Sequence, residues 1–174
     1  MSRFAEDMQF SESMAEEDKE VLRNLFPGCK VSKNETTGDD KGVDYIVENN
    51  GRQFIYNIDV KRRRKGCSQY WNLGMPEIAL ETDRSTGNVG FILNEEKQTD
   101  LYLFLFDRTD CIDGFLINAK WLRDTFKAHQ EEWEQYKHRS YNGSYWSEFY
   151  AVPINIIFLL NYNDGGGYCA EVYR

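Results

Sequence analysis

The spacing of apolar residues predicts a helix near the start of the chain. A capping box at Ser13 and Glu16 opens a segment in which apolar residues recur every three or four positions, and Pro27 ends it. Asp18 falls on the apolar face of this helix, where a carboxylate needs a partner. Residues 1–12 show little periodicity, which indicates a flexible N-terminal arm.

The pattern that follows predicts a β-hairpin. Two runs rich in β-branched and aromatic residues flank Asn50 and Gly51, and an Asn-Gly pair in this position is typical of hairpin turns. We therefore expect Asp44 near the start of the first strand and Asp59-Val60-Lys61 near the end of the second. Antiparallel pairing would bring these charged side chains close together.

Later patterns predict further strands and helices. The apolar run at 101–106 favours a strand buried on both faces, and residues 77–82 favour another strand. Asn118 is expected to cap a long helix that reaches Tyr136, because apolar residues recur there at helical spacing. Residues 152–160 and the C-terminal stretch supply one or two last elements.

Length and composition limit the class of protein. A chain of 174 residues fits one domain, here 13–174, and 41% hydrophobic residues exclude a wholly disordered acidic chain. The net charge of -8 excludes a basic, histone-like protein. Apolar runs fall short of the about 20 residues of a membrane span, and the N-terminus does not resemble a signal peptide. We therefore expect a cytoplasmic protein with no membrane partner.

The predicted hairpin supplies the residues for metal chemistry. Asp59 and Lys61 are two positions apart, so both lie on one face of their strand, near Asp44. Two neighbouring carboxylates repel each other unless a cation lies between them, and Mg²⁺ prefers such oxygen ligands. Lys61 can orient a metal-bound water and stabilise negative charge on a phosphate, and the Val60 carbonyl is a candidate extra ligand.

Asp44, followed on the next strand by Asp59-x-Lys61 and preceded by an acidic helix, resembles the PD-(D/E)XK nuclease superfamily. That superfamily includes restriction endonucleases and Holliday junction resolvases. The resemblance implies a restriction-endonuclease-like αβββαβ core with a mixed central β-sheet flanked by helices. It also implies hydrolysis of DNA phosphodiester bonds with Mg²⁺ or Mn²⁺, and a helical carboxylate from Asp18 or Glu17.

Other residues near the hairpin are candidate ligands or DNA contacts. Glu81 either reaches the site, as a third metal ligand or a general base, or is a plain surface residue. Tyr70 and Trp71 either stack on a base or ribose or cover the core. A basic run next to the proposed metal site is suited to hold phosphate oxygens. Its members after Lys61 are Arg62, Arg63, Arg64 and Lys65.

The sequence is thus interpreted as a single α/β domain that acts as a magnesium-dependent endo- or exodeoxyribonuclease. The alternative is a non-catalytic protein on the same fold, either an inactive nuclease relative or an acidic DNA mimic that engages a protein partner. The type of nucleic acid substrate and the formation of a homodimer stay open at this point.

Overall fold

Two β-sheets and three α-helices make up the part of the chain that the structure describes. The computed structural model describes residues 3–35, 41–49, 51, 54–63, 77–107, 112–141, 143, 145–164 and 169–173. The central sheet is mixed, because it contains parallel and antiparallel strands, and helices flank it. The predicted α/β class with a mixed central sheet flanked by helices is confirmed.

The helices and strands are as follows. The α-helices are α1 (Arg3–Leu25), α2 (Ala119–His129) and α3 (Ile154–Asp164), and a 3-10 helix spans Glu132–Tyr136. The strands are β1 (Cys29–Lys33), β2 (Tyr45–Asn49), β3 (Ile55–Arg63), β4 (Glu77–Arg84), β5 (Leu101–Asp107), β6 (Ile112–Asn118), β7 (Lys137–Tyr141), β8 (Trp146–Pro153) and β9 (Cys169–Tyr173).

The central sheet has the strand order β1-β2-β3-β5-β6-β9, and the smaller sheet has the order β4-β8-β7. β2 and β3 pair antiparallel, with Tyr45 opposite Ile58, which confirms the predicted hairpin. β5 runs parallel to β3 and places Tyr102 beside Asp59. Asn118 caps α2 by accepting a hydrogen bond from the backbone N–H of Trp121, as the sequence predicts.

Each face of the central sheet covers a separate hydrophobic cluster. The first, which we call the helix core, lies between the sheet and α1. The second, which we call the sandwich core, lies between the sheet and a layer formed by β4, β8, α2 and α3. Side chains of the helix core include Val21, Leu22, Ile58, Leu103 and Leu105. Those of the sandwich core include Tyr102, Phe104, Phe115, Phe126 and Tyr150.

Several element boundaries differ from the sequence prediction. α1 begins at Arg3 instead of Ser13, so residues 3–12 of the expected arm belong to the helix. Ser13 does not cap the helix, because its hydroxyl donates to the carbonyl of Phe10 within it. α2 ends at His129, and β7 and β8 form a hairpin that the sequence did not predict. Among the described residues, no helix has the length and apolar character of a membrane span.

Candidate functional site

Asp44 lies directly before β2, and the neighbouring strand β3 holds its carboxylate. Its backbone N–H donates to the carbonyl of Ile58 at 2.9 Å. Its side-chain Oδ2 accepts from the backbone N–H of Val60 at 2.7 Å. These two bonds fix the carboxylate beside the C-terminal half of β3.

Asp59 and Lys61 lie on the face of β3 that the sandwich core covers. Asp59 is only 3% exposed, which departs from the solvated position usual for a strand aspartate. One of its oxygens, Oδ1, lies 2.6 Å from Nζ of Lys61. The other, Oδ2, is buried without a hydrogen-bond partner. A buried carboxylate oxygen in this state favours a nearby proton or cation.

Phe91 covers one side of the Lys61 ammonium, which lies 4.7 Å from the centre of the ring. The turn that carries Phe91 packs tightly against β4, since a Cβ at Gly90 would lie 2.2 Å from the backbone oxygen of Glu81. Only glycine permits this approach. The Lys61 side chain is 31% exposed, so the site opens to solvent at this residue.

The charged groups of the site shift one another's pKa values. Burial, followed by the negative charge of Asp59, raises the pKa of Asp44 to about 6. Burial lowers the pKa of Lys61, but the charges of Asp59, Asp44 and Glu81 outweigh this effect and leave that pKa raised. Lys61 therefore keeps its proton and its positive charge at neutral pH.

Arg62 points to the opposite face of β3 and binds three carboxylates beneath α1. Its Nε donates to Asp107 at 2.9 Å, its Nη1 donates to Asp18 at 2.7 Å, and its Nη2 donates to Glu17. The Arg62 side chain is 7% exposed. The predicted site residues Glu17, Asp18 and Arg62 therefore bind one another in an internal ion-pair network. Successive side chains of a strand point to opposite faces, so Arg62 and its partners lie on the other side of the sheet from Asp59 and Lys61.

Glu81 lies near the site but pairs with another residue. Both of its oxygens accept from the guanidinium of Arg84, at 3.0 and 2.9 Å, while its charge also acts on Lys61. Val60 lies between Asp59 and Lys61, and its N–H is the donor to Asp44. Within the described residues, no group of three or more His, Cys, Asp or Glu side chains converges as a metal shell.

The basic run is described only in part. Arg63 lies on the same face of β3 as Lys61, and its Nη2 is buried without a hydrogen-bond partner. Burial raises the pKa of the Glu77 carboxyl, and the positive charge of Arg63 opposes this shift. Four predicted DNA contacts lie outside the described residues. They are Arg64, Lys65, Tyr70 and Trp71.

Sequence reasoning missed two residues that shape the site. Asp107 is the last residue of β5 and anchors Arg62, and its signal was a charged residue directly after the apolar run at 101–106. Phe91 covers Lys61 from a turn, and no local pattern marks that contact.

Scans against protein-family models, curated proteins and solved structures found no significant match to this chain. Membership of the PD-(D/E)XK superfamily therefore stays a prediction from the residues themselves.

Proposed function

We propose that this protein is a metal-dependent nuclease that hydrolyses DNA phosphodiester bonds. One observation carries the proposal: two carboxylates, Asp44 and Asp59, adjoin each other beside a charged Lys61 whose side chain is 31% exposed. This set combines candidate ligands for a hard cation with a fixed positive charge. Both favour hydrolysis of a phosphodiester, because negative charge develops on the phosphate oxygens in the transition state.

Asp44 and Asp59 fit a divalent cation such as Mg²⁺ or Mn²⁺. Oδ2 of Asp59 has no hydrogen-bond partner, and burial, followed by the charge of Asp59, raises the pKa of Asp44. A cation bound between the two carboxylates would satisfy the first and oppose the second. Mg²⁺ is usually bound by one or two carboxylates and keeps several waters, so two aspartates suffice, and the Val60 carbonyl is a further candidate ligand. When bound, the cation supplies a more acidic water and offsets charge on the phosphate.

The remaining roles belong to positive side chains. The Lys61 ammonium, held by Asp59, is placed to stabilise charge on a phosphate oxygen at the mouth of the site. Arg63 lies two positions further along the same face of β3 and is a further candidate for a phosphate contact, through guanidinium nitrogens other than the buried Nη2. Arg62 is not part of this proposal, because its guanidinium is committed to three carboxylates.

The order of elements gives limited support to a restriction-endonuclease-like core. α1 precedes the antiparallel strands β1, β2 and β3, and this order is the αβββ start that the resemblance implies. The described part of the connection from β3 to β5 departs from it, because it carries β4 where a helix is expected. The nuclease proposal therefore depends on the site more than on the topology.

Cleavage of a labelled DNA panel in Mg²⁺ or Mn²⁺ tests the proposal. The panel contains single strands, duplexes and branched junctions, with RNA as a comparison. We expect Asp59→Asn and Lys61→Met to lower the cleavage rate by about 100-fold or more, the usual effect of removing a charge that stabilises the transition state. Asp124→Asn, an exposed aspartate on α2, is the matched control.

Calorimetric titration with Mn²⁺ separates binding from chemistry. Asp59→Asn should abolish Mn²⁺ binding, whereas Lys61→Met should retain it, because an ammonium is not a ligand. If the wild type cleaves no substrate in either ion, the enzyme proposal is wrong and the non-catalytic alternative is favoured.

A further inference from the structure

The tip of the β7–β8 hairpin presents aromatic side chains to solvent. Tyr141 and Trp146 are 51% and 44% exposed, although both are large aromatic residues. They are opposite each other across the two strands, with ring centroids 5.1 Å apart and planes tilted by 49°. Such exposed rings mark an interaction surface more often than isolated apolar residues do.

Arginine side chains flank these rings. The Arg139 guanidinium lies 5.4 Å from the centre of the Trp146 ring, and the Arg84 guanidinium lies 6.0 Å from that of Tyr145. The Arg139 guanidinium beside the Trp146 ring suits a ligand that is both aromatic and anionic, whereas the Arg84 guanidinium is already bound by Glu81. We call Tyr141, Tyr145, Trp146 and the two arginines the hairpin platform.

The hairpin platform is anchored and connected to the candidate site. The backbone N–H of Trp146 donates to the Ser85 hydroxyl at 2.9 Å, and the N–H of Ser85 donates to the Trp146 carbonyl at 2.8 Å. Arg84 binds Glu81 through two hydrogen bonds, and the charge of Glu81 acts on Lys61. Glu81 therefore adjoins the platform through its hydrogen bonds to Arg84 and acts on Lys61 through its charge.

The net charge of -8 limits the way in which this protein can hold a polyanion. Binding through phosphate contacts alone requires a broad basic surface, whereas stacking of bases on aromatic rings does not. Bases within a duplex are already stacked on each other, so only unpaired bases are available to the rings. We propose that the hairpin platform stacks the unpaired bases of single-stranded DNA and leads that strand toward Lys61.

This inference rests on the proposed function for the identity of its ligand, and its test requires no cleavage. Fluorescence anisotropy in EDTA measures binding of a labelled oligothymidylate of about 16 nucleotides and of a duplex of equal length. We expect the single strand to bind more tightly. Trp146→Ala should weaken its binding about 10-fold, which is the usual effect of losing one base stack.

Two variants serve as controls, and a third tests the arginine of the platform. Trp146→Phe retains a ring and should stay within about threefold of the wild type, since every base can stack on any aromatic face. Tyr162→Ala removes an exposed aromatic residue from α3, away from the platform, and should bind as the wild type does. Arg139→Gln should weaken binding and flatten its salt dependence. Circular dichroism verifies that each variant is folded.

The outcomes separate this inference from the nuclease proposal. Equal affinity of Trp146→Ala and the wild type for the single strand would overturn the platform, even if the protein cuts DNA. So would a Trp146→Ala effect confined to self-association in sedimentation experiments. Conversely, binding of oligothymidylate through Trp146 without cleavage of any substrate would support the platform and contradict the nuclease proposal.

Discussion

At the scale of single residues, the candidate site places two carboxylates, those of Asp44 and Asp59, beside one ammonium, that of Lys61. Asp59 is paired with Lys61 through one oxygen, while its second oxygen has no partner. Asp44 shares this environment, and its pKa is raised from 3.8 to about 6. Ionisation of Asp44 therefore opposes folding in the absence of a cation, a common property of carboxylates at functional sites.

The stability of Asp44→Asn in EDTA tests this coupling. Between its ordinary pKa of 3.8 and about 6, folded Asp44 retains a proton that the unfolded chain has lost. The free energy of unfolding therefore falls as the pH rises through this window. Asn keeps the acceptor for Val60 but carries no charge. We expect Asp44→Asn to be more stable than the wild type by about 1–2 kcal/mol near pH 8, with the gain vanishing near about pH 4.

Urea unfolding at several pH values measures this difference. Asp83→Asn is the matched control, because the Asp83 side chain is exposed. A constant difference between Asp44→Asn and the wild type across this pH range would contradict the coupling.

At the scale of elements, a buried arginine joins α1 to the central sheet. Arg62 of β3 binds Glu17 and Asp18 of α1 together with Asp107 of β5. Burial raises the pKa of Asp18 even with Arg62 beside it, so this carboxylate depends on its partner. Because Lys61 and Arg63 flank Arg62 on β3, the network also fixes the strand that carries the candidate site.

Replacement of Arg62 should strongly destabilise the protein. Arg62→Met retains much of the side-chain volume but leaves Asp18 and Asp107 without their partner. We expect a loss of about 3–5 kcal/mol in the free energy of unfolding, as when one member of a buried ion pair is removed. Thermal or urea unfolding followed by circular dichroism measures it. Arg23→Met, at an exposed position of α1, is the control.

A second substitution identifies the cause of this loss. Adding Asp18→Asn to Arg62→Met removes one stranded charge and should recover part of the stability. If Arg62→Met is as stable as Arg23→Met, the network does not attach α1.

At the scale of the whole molecule, β5 links the two hydrophobic cores. Leu103 and Leu105 point into the helix core, whereas Tyr102, Phe104 and Phe106 point into the sandwich core. All five side chains are buried. A strand shared in this way couples the two faces of the sheet, since neither core can be lost without exposing β5.

We therefore expect the protein to unfold in one cooperative transition. Leu22→Ala creates a cavity in the helix core, where Leu22 is fully buried, and should cost about 2–5 kcal/mol. Circular dichroism, to which helices on both faces of the sheet contribute, and tryptophan fluorescence, to which Trp121 and Trp133 of the sandwich core contribute, should shift together. Separate transitions for the two signals would show that the cores fold independently.

Much of the fold could be predicted from local patterns. The Asn-Gly turn predicted the β2–β3 hairpin, six apolar residues predicted β5, and Asn118 predicted the start of α2. The β7–β8 hairpin was missed, because its strands mix polar and aromatic residues without clear alternation. The extension of α1 to Arg3 was missed as well, since those residues show little helical periodicity.

The sequence by itself determined the α/β class, the hairpin and the approach of Asp44 to Asp59 and Lys61. These features follow from turn chemistry and from alternation along neighbouring strands, which are local. Only the tertiary structure decided that Arg62 faces Glu17 and Asp18 instead of a phosphate, that Glu81 pairs with Arg84, and that aromatic rings lie exposed at the β7–β8 tip. The partners of a long charged side chain depend on which elements pack around it, and residues far apart in the sequence fix that packing.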